Sequence, residues 1–197
     1  MAAAGDGRLC IIYVQTPSIQ YMPPASPDTP HPVIVVMGVS GCGKTVVGEL
    51  LADTLGVPFR DADHFHPPEN VERMRSGRPL DDAARGPWLD RLARLIDDAV
   101  RDGSGLVLAC SALKRAYRDR LGAARPGVRL VFLDGDESLI RERIEQRTGH
   151  YMPASLLASQ CALLERPTAE ERPITIDVAS PPESLAAAIV AALRRPD

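Results

Sequence analysis

Eight consecutive residues, Gly38-Val39-Ser40-Gly41-Cys42-Gly43-Lys44-Thr45, satisfy every fixed position of the pattern G-x-x-x-x-G-K-[ST]. The chemistry this pattern serves is the wrapping of a polyphosphate by backbone N–H groups, which glycine permits because no side chain obstructs the approach. In such a loop Lys44 reaches the β- and γ-phosphates, Thr45 ligates Mg²⁺, and the positive end of the following helix adds to the attraction. A second group with chemical capacity is Asp61-Ala62-Asp63. Of two neighbouring carboxylates, one can hold a metal-bound water while the other accepts a hydroxyl proton, as phosphoryl transfer to an alcohol requires. His64 and His66 form an H-x-H pair, but no third ligand accompanies them, so a metal site is not indicated.

The elements that must position these residues are legible around them. The apolar run Val33–Met37 reads as a buried strand leading into the loop, and Val46, Val47, Leu50, Leu51 and Leu55 follow at helical spacing to a stop near Gly56. Extended chain then leads to Asp61 and Asp63, placing both at a strand's C-terminal end, where open parallel sheets bind ligands. A basic insert follows, with a helix over about 69–76 whose apolar face carries Val71 and Met74, and with Arg73, Arg75, Arg78 and Arg85 able to grip an anion. Pro87 and Trp88 are expected to open a long amphipathic helix ending near Gly103. The strand 105–110 delivers Ser111-Ala112-Leu113-Lys114 to the same sheet edge as the loop. A strand over 129–133 and a helix from Asp136 or Glu137 to about Arg147 come next. Arg143 and Arg147 on that helix can serve as a lid over the γ-phosphate or as a solvated face paired with Glu142 and Glu145. Helical residues 153–165, a fifth strand over 174–178 and a closing helix over 183–194 complete an α/β chain with a parallel sheet.

The 197 residues, 45% of them hydrophobic, suffice for one domain with an attached segment. Residues 1–31, crowded with Pro17, Pro23, Pro24, Pro27 and Pro30, read as a flexible leader, with 32–197 as the domain; Leu9–Val14 could instead add an edge strand, and Met22 could be the true start. The net charge of −3 gives no sign of a nucleic-acid surface. Four scattered cysteines without a C-x-x-C pair fit a reducing, cytoplasmic setting, and no apolar run is long enough to span a membrane.

Several stretches together resemble the gluconokinases of the thermoresistant type, in the shikimate-kinase-like branch of the P-loop kinases. They are Met37–Gly41 through Lys44-Thr45; Asp61-x-Asp63-x-x-His66-Pro67; Met74-x-x-Gly77-x-Pro79-Leu80-x-Asp82-x-x-Arg85-x-Pro87-Trp88; Cys110–Lys114 with Tyr117-Arg118-Asp119; and Arg143-x-x-x-Arg147-x-Gly149-His150. The resemblance implies a P-loop kinase fold, a five-stranded parallel sheet flanked by helices, with a lid and a substrate-binding helical insert. It implies transfer of phosphate from ATP, with Mg²⁺, to the 6-hydroxyl of D-gluconate. It also implies roles: Asp63 to deprotonate the acceptor, Asp61 with Thr45 for the magnesium shell, His66, Arg85, Lys114 and Arg118 for the substrate, Arg143 and Arg147 for the phosphates, and assembly as a homodimer. Ala84, Tyr151 and Arg166 depart from the family's pattern.

Two other readings are open on the residues alone. A kinase of the same fold acting on shikimate or a nucleoside monophosphate would need a similar basic pocket. A nucleotide-dependent switch is the other; against it, the chain has no N-K-x-D, its one asparagine being Asn70, and the D-x-x-G of Asp102–Gly105 precedes a strand.

Overall fold

The computed structural model describes residues 31–146 and 154–195. Five strands, β1 (Val33–Met37), β2 (Phe59–Asp61), β3 (Leu106–Ala109), β4 (Val128–Asp134) and β5 (Ile174–Asp177), form one sheet in the order β2-β3-β1-β4-β5. Every pairing is parallel, with Val33 opposite Leu106, Met37 opposite Phe132 and Asp61 opposite Ala109. Among the described residues six helices lie in the crossovers that parallel strands demand, α1 (Lys44–Leu55), α2 (Pro68–Arg75), α3 (Asp82–Asp102), α4 (Arg115–Leu121), α5 (Glu137–Glu145) and α6 (Ala154–Leu163), and α7 (Pro182–Leu193) follows the last strand.

Alternate residues of the central strands feed two cores, which is why β1 reads as an unbroken apolar run. Ile34, Val36, Val107, Val131 and Leu133 pack with Val47 and Leu51 of α1 and with Leu185 and Ile189 of α7. On the opposite face Val33, Val35, Met37, Leu108, Leu130 and Phe132 meet Trp88, Leu89, Leu92 and Ile96 of α3. The chain segments that leave β1, β2 and β3 therefore emerge side by side at one edge of the sheet, with β1 and β3 fully buried beneath them.

The structure corrects three expectations. Helix α3 starts at Asp82, not at Pro87, because the Asp81 side chain caps it by accepting from the Ala84 N–H at 2.8 Å; Pro87 lies inside the second turn. Helix α4, only seven residues long, gives little periodicity and is absent from the sequence reading. Asp63 stands on a 3-10 turn (Ala62–Phe65) just past β2, not on the strand itself. In helix α2 the buried residue is Asn70, whose Nδ2 donates to the Ala84 carbonyl at 2.8 Å and so fastens the insert to α3, while Val71 and Met74 are half-buried. The proposed leader, apart from His31, lies outside the described residues.

Candidate active site

The loop between β1 and α1 is shaped by its glycines. Gly38 has φ 145°, and a Cβ there would stand 2.7 Å from Cys42 Sγ and 2.8 Å from the Leu133 carbonyl oxygen; Gly41, at φ 85°, would meet Ile144 of α5 at 2.5 Å. Helix α5 thus packs directly on the loop. Helix α6 reaches it as well, Gln160 Oε1 accepting from the Ser40 N–H at 2.7 Å and Gln160 Nε2 donating to Ser40 Oγ at 3.0 Å. Lys44 arches over the loop with Nζ 2.9 Å from the Val39 carbonyl oxygen.

The acidic pair joins this loop through Thr45, whose Oγ1 donates to Asp61 Oδ2 at 3.0 Å. A hydroxyl beside a carboxylate is an oxygen set that suits Mg²⁺, a cation that takes one or two protein ligands and otherwise keeps water and phosphate oxygens. The other Asp61 oxygen accepts from the Asp63 N–H at 3.0 Å, so one carboxylate sets the turn that carries the other. Asp63 is exposed. Even so, protein crowding around its carboxyl and the charge of Asp61 raise its pKa above the ordinary 3.8, against the opposing pull of Lys44 and His64. A carboxylate made more basic in this way is a better proton acceptor.

Trp88 organises the neighbouring surface. Its indole N–H donates to the Ala62 carbonyl at 2.8 Å, between the two aspartates, and its ring stacks on His66 at 4.3 Å and 13°. Burial first, and Arg85 second, push the His66 pKa down to about 4, so the imidazole is neutral at pH 7 with Nδ1 buried and unpartnered among the described residues. Because the folded-state pKa lies below 6.5, this contribution to stability is complete above pH 6.5 and is lost as pH falls toward 4. His66→Gln is therefore expected to flatten the decline in urea midpoint between those two pH values, and an unaltered decline would assign it to other groups.

Beyond His66 lie Arg85, on the first turns of α3, and Lys114, at the N-terminus of α4. The side chain of Tyr117 separates them, with the Arg85 guanidinium carbon 5.6 Å and Lys114 Nζ 5.4 Å from its ring centre. Ala112, at φ 42°, bends the chain that leaves β3 so that Lys114 returns toward α3. The cysteine at the end of that strand, Cys110, is fully buried, and desolvation pushes its thiol up to about 12, so it acts as packing.

Not every expected residue arrives at this site. Arg118 is 2% exposed and fully engaged: Nε donates to Glu171 Oε1 at 2.5 Å, Nη2 to Glu171 Oε2 at 3.1 Å, and Nη1 to the carbonyls of Ala112, Leu113 and Glu165. It clamps the segment after α6 onto α4 and, buried there, is not open to a substrate. Burial tends to raise the Glu171 carboxyl pKa, yet the Arg118 guanidinium and the Thr168 N–H outweigh it and hold the group below 4.5. Arg143 donates from Nη2 to the Val178 carbonyl at 2.8 Å, past the end of β5. Arg147, Gly149, His150 and Tyr151 lie outside the described residues. In the insert, Arg73 and Arg78 bond within their own loop, to Pro79 and Asp81 and to Ser76. Of the two departures that are described, Ala84 supplies backbone groups to the cap and to Asn70, and Arg166 pairs with Asp134 while lying over the Phe132 ring.

Three residues important to this geometry were not singled out by their chemistry. Asp82 and Tyr117 sit inside the stretches that carry the family resemblance, which was the available signal. Gln160 has none, because its partner Ser40 is 120 positions away.

A phosphate loop, an acidic pair and a cationic cluster at the C-terminal edge of a five-stranded parallel sheet define a P-loop kinase. Residues 33–167 match the family model described as AAA domain. The gluconokinase of Gluconobacter oxydans (strain 621H) is 47% identical over 143 residues, which cover 73% of this chain and 80% of that protein. A gluconokinase from Sinorhizobium meliloti 1021, solved by crystallography, superposes with a TM-score of 0.76 at 44% identity over 84% of this chain and 93% of the other. Shikimate kinase from Acinetobacter baumannii shares only the fold, with a TM-score of 0.53 at 17% identity over 82% of this chain and 92% of that chain. The chain belongs to the gluconokinase family.

Proposed function

We propose that this enzyme transfers the terminal phosphoryl group of ATP to the 6-hydroxyl of D-gluconate, giving 6-phospho-D-gluconate and ADP. The observation that carries the reading is the meeting of three groups at one sheet edge: Lys44 and Thr45 of the loop, the Asp61–Asp63 pair, and the cations Arg85 and Lys114 beside neutral His66.

In this reading the backbone of residues 38–45 and Lys44 hold the donor phosphates. Asp63 orients the acceptor hydroxyl and takes its proton as the O6–Pγ bond forms and the bond from Pγ to the ADP oxygen breaks. Thr45, and Asp61 through water, would hold Mg²⁺, which when bound neutralises charge on the β- and γ-phosphate oxygens. Arg85 and Lys114 face the substrate carboxylate, with His66 offering a neutral nitrogen to a hydroxyl. Arg143 and Arg147 are assigned to the donor phosphates, with Arg143 Nη2 bonded to the Val178 carbonyl. The reading includes a homodimer and a cytoplasmic setting, the latter supported by Cys42, Cys110 and Cys161 being free. Among the described residues no helix is long and apolar enough to cross a membrane.

Parallel measurement of ADP release with gluconate, shikimate and nucleoside monophosphates tests the assignment. Turnover is expected with gluconate; activity confined to one of the other acceptors would overturn it.

A further inference from the structure

The two cations of the acceptor side are not equivalent. Lys114 Nζ lies 3.0 and 2.9 Å from the two oxygens of Asp82, whereas Arg85 Nη1 lies 3.8 Å from the nearer one. The Tyr117 hydroxyl donates to Asp82 in a short hydrogen bond and accepts from Arg85 Nη1 at 3.4 Å, and the same Nη1 also donates to the Leu80 carbonyl. The result is a chain of contacts, Lys114 to Asp82 to Tyr117 to Arg85. It occupies one corner of the guanidinium and leaves its Nε and Nη2 without a partner among the described residues. Those two nitrogens are the edge with which arginine grips a carboxylate by two parallel hydrogen bonds. The Arg85 and Lys114 side chains are 20% and 25% exposed, and Asp82 is 63% exposed, so the anion lies on the open side of the cations.

We propose that Asp82 and Tyr117 are positioning residues that set acceptor specificity: they engage Lys114 and aim Arg85, so that its Nε–Nη2 edge is presented to the carboxylate of a singly charged acid. This rests on the function proposed above and names the part of the site that distinguishes a sugar acid from a neutral polyol. Charge agrees with geometry. Two cations and one carboxylate give a cluster of +1, complementary to one substrate carboxylate. Bonds from Tyr117 and Lys114 hold the Asp82 carboxyl below its usual range, and burial followed by the bond to Asp82 raises the Tyr117 phenol, so the first is ionised and the second neutral at pH 7.

The test compares the wild type with Asp82→Asn and Tyr117→Phe, using gluconate and glucitol, which has the same chain and a hydroxymethyl group in place of the carboxylate. Glucitol is followed as an acceptor or, where turnover is too slow, as a competitor. Asp82→Asn is expected to raise KM for gluconate about 10-fold or more, with kcat within about 3-fold and KM for ATP within about 2-fold. Tyr117→Phe is expected to act in the same direction by about 5-fold, as loss of one neutral hydrogen bond would. The preference for gluconate over glucitol should shrink by the same factors. A lower KM in Asp82→Asn would make Asp82 a mere competitor for the cations and overturn the proposal. Equal losses with both acceptors, or a lower Tm with unaltered KM, would reduce it to support of the α3 N-terminus. Wild-type inactivity on gluconate overturns the reading beneath it; wild-type activity with both variants unaltered overturns this inference alone.

Discussion

Asp63→Asn is expected to lower kcat by about 10²- to 10⁴-fold, the range that one positioned base supplies, while KM for ATP stays within about 3-fold. The split follows from where Asp63 stands. Its backbone N–H is anchored by Asp61, and Asp61 is anchored by Thr45, so the amide variant keeps the turn and the loop intact and loses only the carboxylate to which we assign the proton. The same substitution has a signed effect on stability. A carboxyl whose folded pKa is raised contributes stability that is present below the unfolded value of 3.8 and is lost as pH rises through the folded value. The variant should therefore melt above the wild type at pH 7, and the difference should vanish below pH 3.8. Steady-state kinetics and thermal melts at pH 3.5 and 7 check both halves. Near-normal turnover would remove Asp63 from the chemistry.

Arg118→Met should be the most damaging change to the fold. Truncating one member of a buried ion pair costs about 3–5 kcal/mol; here Glu171 loses its closest cation and keeps only Arg115, whose Nη1 is 3.6 Å from Oε2. For a chain of this size that corresponds to a fall in Tm of about 6–20 °C. The carbonyls of Ala112, Leu113 and Glu165 lose the bond from Arg118 as well. Adding Glu171→Gln should recover part of the loss by removing the stranded charge. Measured well below the new Tm, KM for gluconate should stay within about 3-fold. A large rise in KM without a fall in Tm would return Arg118 to the substrate role that the family resemblance gave it.

The contrast between these two residues shows what a sequence can disclose. The placement of Asp63 was readable because it is local: a strand, a turn and a neighbouring carboxylate specify it within a few positions. Arg118 lies in an equally distinctive stretch, but its partner Glu171 is 53 residues away, and nothing in the spacing reveals that the two meet in a dry interior. The sheet was legible for a related reason, since strands buried on both faces are apolar at every position, as Val33–Met37 is. Helix boundaries were less so. Pro87 gave a start signal that Asp81 overrode, since a side-chain cap at 2.8 Å satisfies a free amide, whereas proline at the first turn merely does no harm. The cationic cluster was half legible: Arg85 and Lys114 as cations, but not the order in which Asp82 and Tyr117 link them.

The stacking of Trp88 on His66 gives the protein an optical property. Trp88 is the one tryptophan in the chain, so all indole emission comes from a ring that touches the acceptor side with one face and the Ala62 carbonyl with its N–H. Loading gluconate beside His66 should shift that emission while loading nucleotide alone disturbs it less. The two half-reactions of complex formation thereby become separable in a cuvette, without any label.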